Sequence, residues 1–191
     1  RRDTLFGGRL PAPNLKTLAG LTNYVEEHGC DIGIATDGDA DRLGVIDDKA
    51  EFLHPNKILV LLYYYLMRYR GWRGAAVRNL ATTHLLDRIA EDFGETCYEV
   101  PVGFKYVSAK MVETGAIIGG ESSGGLTVRG HIQGKDGIYA AALLVEAIAK
   151  TGRRLSALWD EITQKYGAAE MAEHDFHFSS AERTRIFKLL M

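Results

Sequence analysis

The run Asp37-Gly-Asp39-Ala-Asp41-Arg42 sits between two apolar segments, residues 32–36 and 43–46. Short apolar runs bounded by turn residues read as buried strands. The chain must therefore pass from strand to acidic loop to strand. Three carboxylates at alternating positions on one loop repel each other unless a cation gathers them. All-oxygen ligands select a hard ion, Mg²⁺ or Ca²⁺. Arg42 follows the third aspartate directly and can fork onto a phosphate. A hard cation beside a guanidinium suits phosphoryl chemistry.

Three other readings compete for this loop. A solvated acidic turn explains a single Asp-x-Asp well, but three alternating aspartates followed by arginine less well. An EF-hand calcium loop needs glycine at its sixth position and glutamate at its twelfth. Arg42 and Asp48 stand there. A phosphatase of the haloacid-dehalogenase type carries Asp-x-Asp after an apolar strand. Asp37 and Asp39 fit that start, while Asp41 replaces the usual Thr or Val. A metal-dependent phosphatase is thus the alternative enzyme, and a non-catalytic sugar-phosphate or calcium-binding module the alternative outside enzymes.

Elsewhere helices and short strands alternate. Asn14 reads as an N-cap for a helix carrying Leu15, Leu18, Thr22 and Val25 and stopped by Gly29. Helices are predicted from His54-Pro55-Asn56 to about Arg70, over 83–93, 104–113, 136–150 and 155–166. Strands are predicted at 75–80, 97–100 and 116–120, and a glycine- and serine-rich loop from Glu121 to about Gly134. This alternation gives an α/β class with a mixed, mainly parallel sheet flanked by helices. A composition shift at 167–171 marks a linker. A strand-like piece, residues 174–178, follows it, and Ser179 with Glu182 has capping-box spacing. The expected divisions are 1–50, 51–166 and 167–191. The outer two are too small to bury cores of their own and are expected to belong to larger domains.

Composition excludes several partners. The net charge of −2 gives no sign of nucleic acid or an anionic membrane. The longest apolar run, 58–67, is shorter than the roughly 20 residues needed to span a bilayer. Cys30 and Cys97 lack metal-ligand spacing and read as reduced thiols in a cytoplasmic protein.

A second loop, Gly119-Gly-Glu121-Ser-Ser123-Gly-Gly125, also follows an apolar strand. Glycines let the backbone approach a ligand closely. Glu121 and Ser123 offer an acceptor and a donor-acceptor that can fork onto sugar hydroxyls. Ligand sites in open α/β sheets lie beyond the carboxyl ends of strands, where both loops are expected. Lys105 opens a helix, against the helix dipole, and an anion there would relieve this. An exposed surface lysine is the plain alternative. His131, Lys135 and Asp136 are equally open. Trp72, Trp159 and Tyr63–Tyr65 read as packing, and His54 as a turn residue.

Together these motifs resemble the α-D-phosphohexomutase family, which includes phosphoglucomutases and phosphomannomutases. Asp37-Gly-Asp-Ala-Asp-Arg42 is similar to its metal-binding loop and Gly120-Glu-Ser-Ser-Gly-Gly125 to its sugar-recognition loop. Val102-Gly-Phe-Lys-Tyr106 resembles the segment with its active-site lysine, and Lys135-Asp-Gly-Ile138 the following helix start. Leu5-Phe-Gly-Gly-Arg9 and Pro11-x-Pro13 fit as well. The likeness runs from Phe6 to about Tyr166.

The resemblance implies a piece of a four-domain enzyme: the second half of domain two, all of domain three and the opening of domain four. It implies a phosphoserine that exchanges a phosphoryl group with a hexose 1- or 6-phosphate, of glucose or mannose, through a 1,6-bisphosphate. Mg²⁺ would sit on Asp37, Asp39 and Asp41. Arg42 would face the phosphoryl group, Glu121 and Ser123 would hold sugar hydroxyls, and Lys105 would contact substrate or assist proton transfer. Gly124-Gly125 leans towards the phosphoglucomutase form. The phosphoserine motif of domain one and the phosphate loop of domain four have no counterpart here. The chain alone is therefore expected to be inactive and to bind metal weakly.

Overall fold

The computed structural model describes residues 3–8, 10–172 and 178–190. After a 3₁₀ turn at Phe6–Gly8 the chain forms α1 (Ala19–His28), then β1 (Gly33–Thr36), β2 (Leu43–Ile46) and β3 (Phe52–Leu53). These strands make an antiparallel sheet in the order β1-β2-β3. The predicted helix after Asn14 starts later than its spacing suggested. Asn14 Oδ1 accepts from Lys16 N and Thr17 N, which closes a turn, and regular helix begins only at Ala19. Gly29 ends it in a left-handed conformation, as expected.

The larger unit follows: α2 (Pro55–Arg68), β4 (Ala76–Asn79), α3 (Leu85–Asp92), β5 (Cys97–Val100), α4 (Phe104–Thr114), β6 (Ile118–Gly120), β7 (Leu126–Val128), α5 (Gly137–Thr151) and α6 (Leu155–Tyr166). Its sheet runs β5-β4-β6-β7, with β4 parallel to both β5 and β6. The mixed, mainly parallel sheet flanked by helices is as the sequence implied. β7 is new. It pairs antiparallel with β6 inside the stretch read as loop.

Strand alternation sends side chains to two faces. Ala76 and Ile118 join the main core with α2, α3, α5 and α6. Val77 instead packs with Val107 and Met111 of α4 on the opposite face. Tyr63, Tyr64 and Tyr65 are buried in the main core, and their hydroxyls reach Gly74 O, Glu161 and Glu146. Burial pushes the Cys97 thiol up to about 12, which suits a packing role. β2 is buried on both sides: Leu43 and Val45 join the main core, and Ile46 packs with Leu18 and Val25 beside α1.

His54 does more than turn the chain. Its Nδ1 accepts from Asn56 N and caps α2, which starts at a proline. The last helix, α7 (Ser180–Leu190), begins with the expected capping box: Ser179 N donates to the Glu182 carboxylate and Glu182 N to Ser179 Oγ. Arg9 and most of the predicted 174–178 strand lie outside the described residues. Among the described residues no helix is long and apolar enough to cross a membrane.

Candidate functional site

The hairpin fixes the acidic loop at both ends, because Thr36 and Leu43 pair directly. Within the loop Ala40 takes φ 61°, a left-handed conformation that costs an L-residue about 1–2 kcal/mol. The Ala40 carbonyl accepts from Gly137 N at 2.9 Å, so the start of α5 holds this bend in place. Gly137 has to be glycine. A Cβ there would lie 2.8 Å from Arg42 O and 2.9 Å from Ala40 O.

The carboxylates of Asp37, Asp39 and Asp41 converge. One ligand oxygen from each lies within 4.8 Å of the others. An octahedral Mg²⁺ at about 2.1 Å from its ligands holds opposite oxygens about 4.2 Å apart. Small inward shifts would complete such a shell, and the all-oxygen donor set is that of a hard divalent ion. These residues fit a metal.

Asp37 is the anchor. Its side chain is 1% exposed. Oδ1 accepts from Arg42 N at 3.1 Å and Oδ2 from Arg42 Nε at 2.6 Å. Burial pushes this carboxyl up, but the Arg42 N–H and guanidinium outweigh it and hold it below the usual carboxylate range. Asp41 lies between two cations: Oδ1 is 3.6 Å from Arg42 Nε and Oδ2 is 2.5 Å from Lys135 Nζ. Asp39 is exposed.

The second loop is built from the ends of the parallel sheet. Glu121 follows β6 and is buried. Its Oε1 accepts from Gly103 N at 2.9 Å and from Asn79 Nδ2 at 3.3 Å. Asn79 ends β4, and its own oxygen accepts from Ala81 N and Thr82 Oγ1. Glu121 thus ties together the loops that follow β4, β5 and β6. A tight turn follows, with Glu121 N donating to Gly125 O and Gly124 N to Glu121 O. Ser123 is exposed on this turn. Lys105 lies two residues beyond Gly103, is exposed, and holds its ammonium 4.8 Å from the Tyr106 ring.

The two loops touch. Gly124 has φ 100°, and a Cβ there would lie 3.2 Å from Leu43 O at the end of the acidic loop. The Lys135 stem crosses Gly125 on its way to Asp41. The aspartate triad and Arg42 therefore lie on loops in contact with the turn carrying Glu121 and Ser123, and Lys105 stands in the first turn of α4, just after Gly103, which bonds Glu121. Asn79 and Gly137 escape a reading of the sequence. They act on partners more than forty residues away: Asn79 belongs to no motif, and Gly137, although inside the Lys135–Ile138 helix start, shows no sign in the sequence of its contact with the acidic loop.

Residues 54–166 match the family description phosphoglucomutase/phosphomannomutase, α/β/α domain III, and residues 1–50 match α/β/α domain II of the same family. A phosphoglucomutase/phosphomannomutase of Thermococcus kodakarensis is 37% identical over 164 residues, 86% of this chain and 36% of that protein. Phosphoglucomutase 1 of Drosophila melanogaster is 32% identical over 176 residues, 90% of this chain and 31% of that protein. A Thermus thermophilus protein assigned as a phosphomannomutase superposes with a TM-score of 0.81 at 38% identity, over 85% of this chain and 37% of that one. The chain spans about a third of the length of each of these relatives.

Proposed function

The chain belongs to the phosphoglucomutase/phosphomannomutase family of α-D-phosphohexomutases, and we propose that it supplies the metal-binding and sugar-binding walls of such a site. The parent activity in this reading interconverts hexose 1- and 6-phosphates of glucose or mannose. It proceeds through a phosphoserine and a 1,6-bisphosphate. One observation carries the reading: the acidic loop and the Glu121 loop pack against each other, with Gly124 on Leu43 O and Lys135 reaching Asp41.

Asp37, Asp39 and Asp41 would hold Mg²⁺. When bound, the ion supplies charge neutralisation at the transferring phosphoryl group. Each residue then has a task set by its surroundings. Asp37 stays charged and fixed because Arg42 binds both of its oxygens. Arg42 commits Nε to Asp37, which sets the plane of its guanidinium, and its other N–H groups serve phosphoryl oxygens. Glu121 is held rigid through Oε1, leaving the exposed Ser123 hydroxyl beside it for sugar hydroxyls. Lys105, exposed and unburdened by burial, suits contact with the anionic substrate.

The phosphatase alternative needs Asp37 as a nucleophile. Its carboxylate is buried and both oxygens are engaged, which opposes that role. In our reading the isolated chain does not turn over hexose phosphates, since neither the phosphoserine motif nor the second phosphate loop is in its sequence. Metal binding is weak and the chain acts in the cytoplasm.

The test is a titration of the chain with glucose 6-phosphate in 20 mM Mg²⁺, a concentration chosen at roughly the millimolar range of weak extracellular-type sites, followed by amide chemical shifts. Shifts gathered at 37–42, 103–106 and 121–125, and lost in Asp39→Ala, are the expected result. Metal-independent shifts elsewhere, or a beryllofluoride adduct at Asp37, would defeat the reading.

A further inference from the structure

The ammonium of Lys135 lies 2.5 Å from Asp41 Oδ2, and both side chains are about one-quarter exposed. This ion pair joins the loop before α5 to the third carboxylate of the acidic cluster. The route taken by the lysine stem is unusual. Its methylenes lie where a side chain on residue 125 would be: an ideal Cβ on Gly125 would come within 2.1 Å of Lys135 Cδ and 2.8 Å of Cγ. Gly125 is thus the floor over which Lys135 reaches Asp41.

The backbone on either side of the lysine is fixed. Asp136 caps α5 through Tyr139 N at 2.9 Å and pairs with His131 at 2.8 Å. Asp136 N donates to Leu126 O, and Gly137 N to Ala40 O. Lys135 is therefore presented to Asp41 by residues bonded both to the sheet and to the acidic loop.

The charges make this placement consequential. Three aspartates and Arg42 leave the loop with a formal charge of −2, and Lys135 reduces it to −1. A hard cation on the triad needs an Asp41 oxygen, and Lys135 holds Oδ2. Two cations on one carboxylate group also repel each other.

We propose that Lys135 is a built-in counter-ion that competes with the metal for Asp41 and, through its seat on Gly125, couples metal occupancy to the position of the sugar-binding turn. The inference rests on the metal-site reading above. Lys135 is a positioning residue: it acts through Asp41 and Gly125 and touches no reacting atom. For Asp41 Oδ2 to serve a metal, the Lys135 ammonium would have to leave it, and its stem would shift across Gly125. The turn carrying Ser123 moves with it. Substitution of Gly125 by any larger residue closes this route, so the glycine sets how tightly the loop holds metal.

The experiment is a Mg²⁺ titration of the chain read by amide chemical shifts, which follow weak binding without reference to activity. Wild type, Lys135→Met and Gly125→Ala are compared, with the spectrum away from both loops as the check on folding. Lys135→Met should bind Mg²⁺ at least about fivefold tighter, as expected for removing one nearby positive charge at a partly exposed site. Gly125→Ala should tighten binding too, and should add nothing in the Lys135→Met background. Mg²⁺ should move the Gly124 and Gly125 amides in wild type and leave them nearly still in Lys135→Met. Equal or weaker binding by Lys135→Met overturns the proposal while the metal site stands. So does additive behaviour of the two substitutions. Failure of all three proteins to show shifts at 37–42 removes the metal site and this inference with it.

Discussion

The Gly103 backbone N–H donates to Glu121 Oε1 over 2.9 Å, and this one bond joins the loop after β5 to the loop after β6. The same oxygen also receives the buried Asn79 amide. Glu121→Ala would leave both donors without an acceptor. The cost expected is about 2–3 kcal/mol, in the range for stranded buried polar groups and bonds to a charged acceptor. Glu121→Gln keeps an acceptor in place and should cost about 1 kcal/mol or less. Urea unfolding of the two variants separates these outcomes.

Gly137 seats the start of α5 on the acidic loop. Its missing Cβ leaves room for two backbone carbonyls, which cannot rotate away as a flexible side chain could. Gly137→Ala gains helix propensity but overpacks this contact. A net loss of about 1–2 kcal/mol is expected. Mg²⁺ affinity should fall in parallel, because Ala40 must shift. Thermal melts together with the Mg²⁺ titration measure both effects.

Ala50 closes the turn between β2 and β3 with φ 57°, a conformation that glycine adopts freely. Ala50→Gly relieves about 1–2 kcal/mol of left-handed strain. It also loosens the unfolded chain at a cost of about 0.4–1 kcal/mol. A gain of about 0.5 kcal/mol should appear as a raised melting temperature, with the acidic loop unchanged.

Asp136 tests the pH dependence of the α5 cap. The Tyr139 N–H, then His131, hold its carboxyl below the usual range despite partial burial. A lowered folded-state value means that the stabilisation is complete above the unfolded value near 4 and fades as pH falls through the folded one. Asp136→Asn retains a capping oxygen but carries no charge. Its deficit relative to wild type should be present at pH 7 and shrink progressively as pH falls below the unfolded value near 4, as measured by urea unfolding at each pH.

Helices and long-range order were readable where local patterns decide them. The α6 boundaries, the β1–β2 hairpin and the Ser179–Glu182 box all follow from spacing and cap chemistry. β7 was not readable, because Leu126–Val128 is only three residues, preceded by Gly125, and becomes a strand only through its partner β6. The delayed start of α1 has a similar cause: Asn14 spends its side chain on a turn rather than on a helix. At the candidate site the residue types were visible and their anchoring was not. That Glu121 is fixed by Asn79 and Gly103, or that Lys135 lies over Gly125, depends on loops meeting at the ends of separate strands.

β2 contributes Leu43 and Val45 to the main core and Ile46 to the small core beside α1. Opening of the small core alone leaves this strand held by the main one, so β2 is released only when both cores come apart. Hydrogen exchange at the β2 amides should therefore report an opening free energy close to that of global unfolding. The six residues of the acidic loop then move as a short tether between fixed posts, and any opening needed to admit an ion is confined to that span.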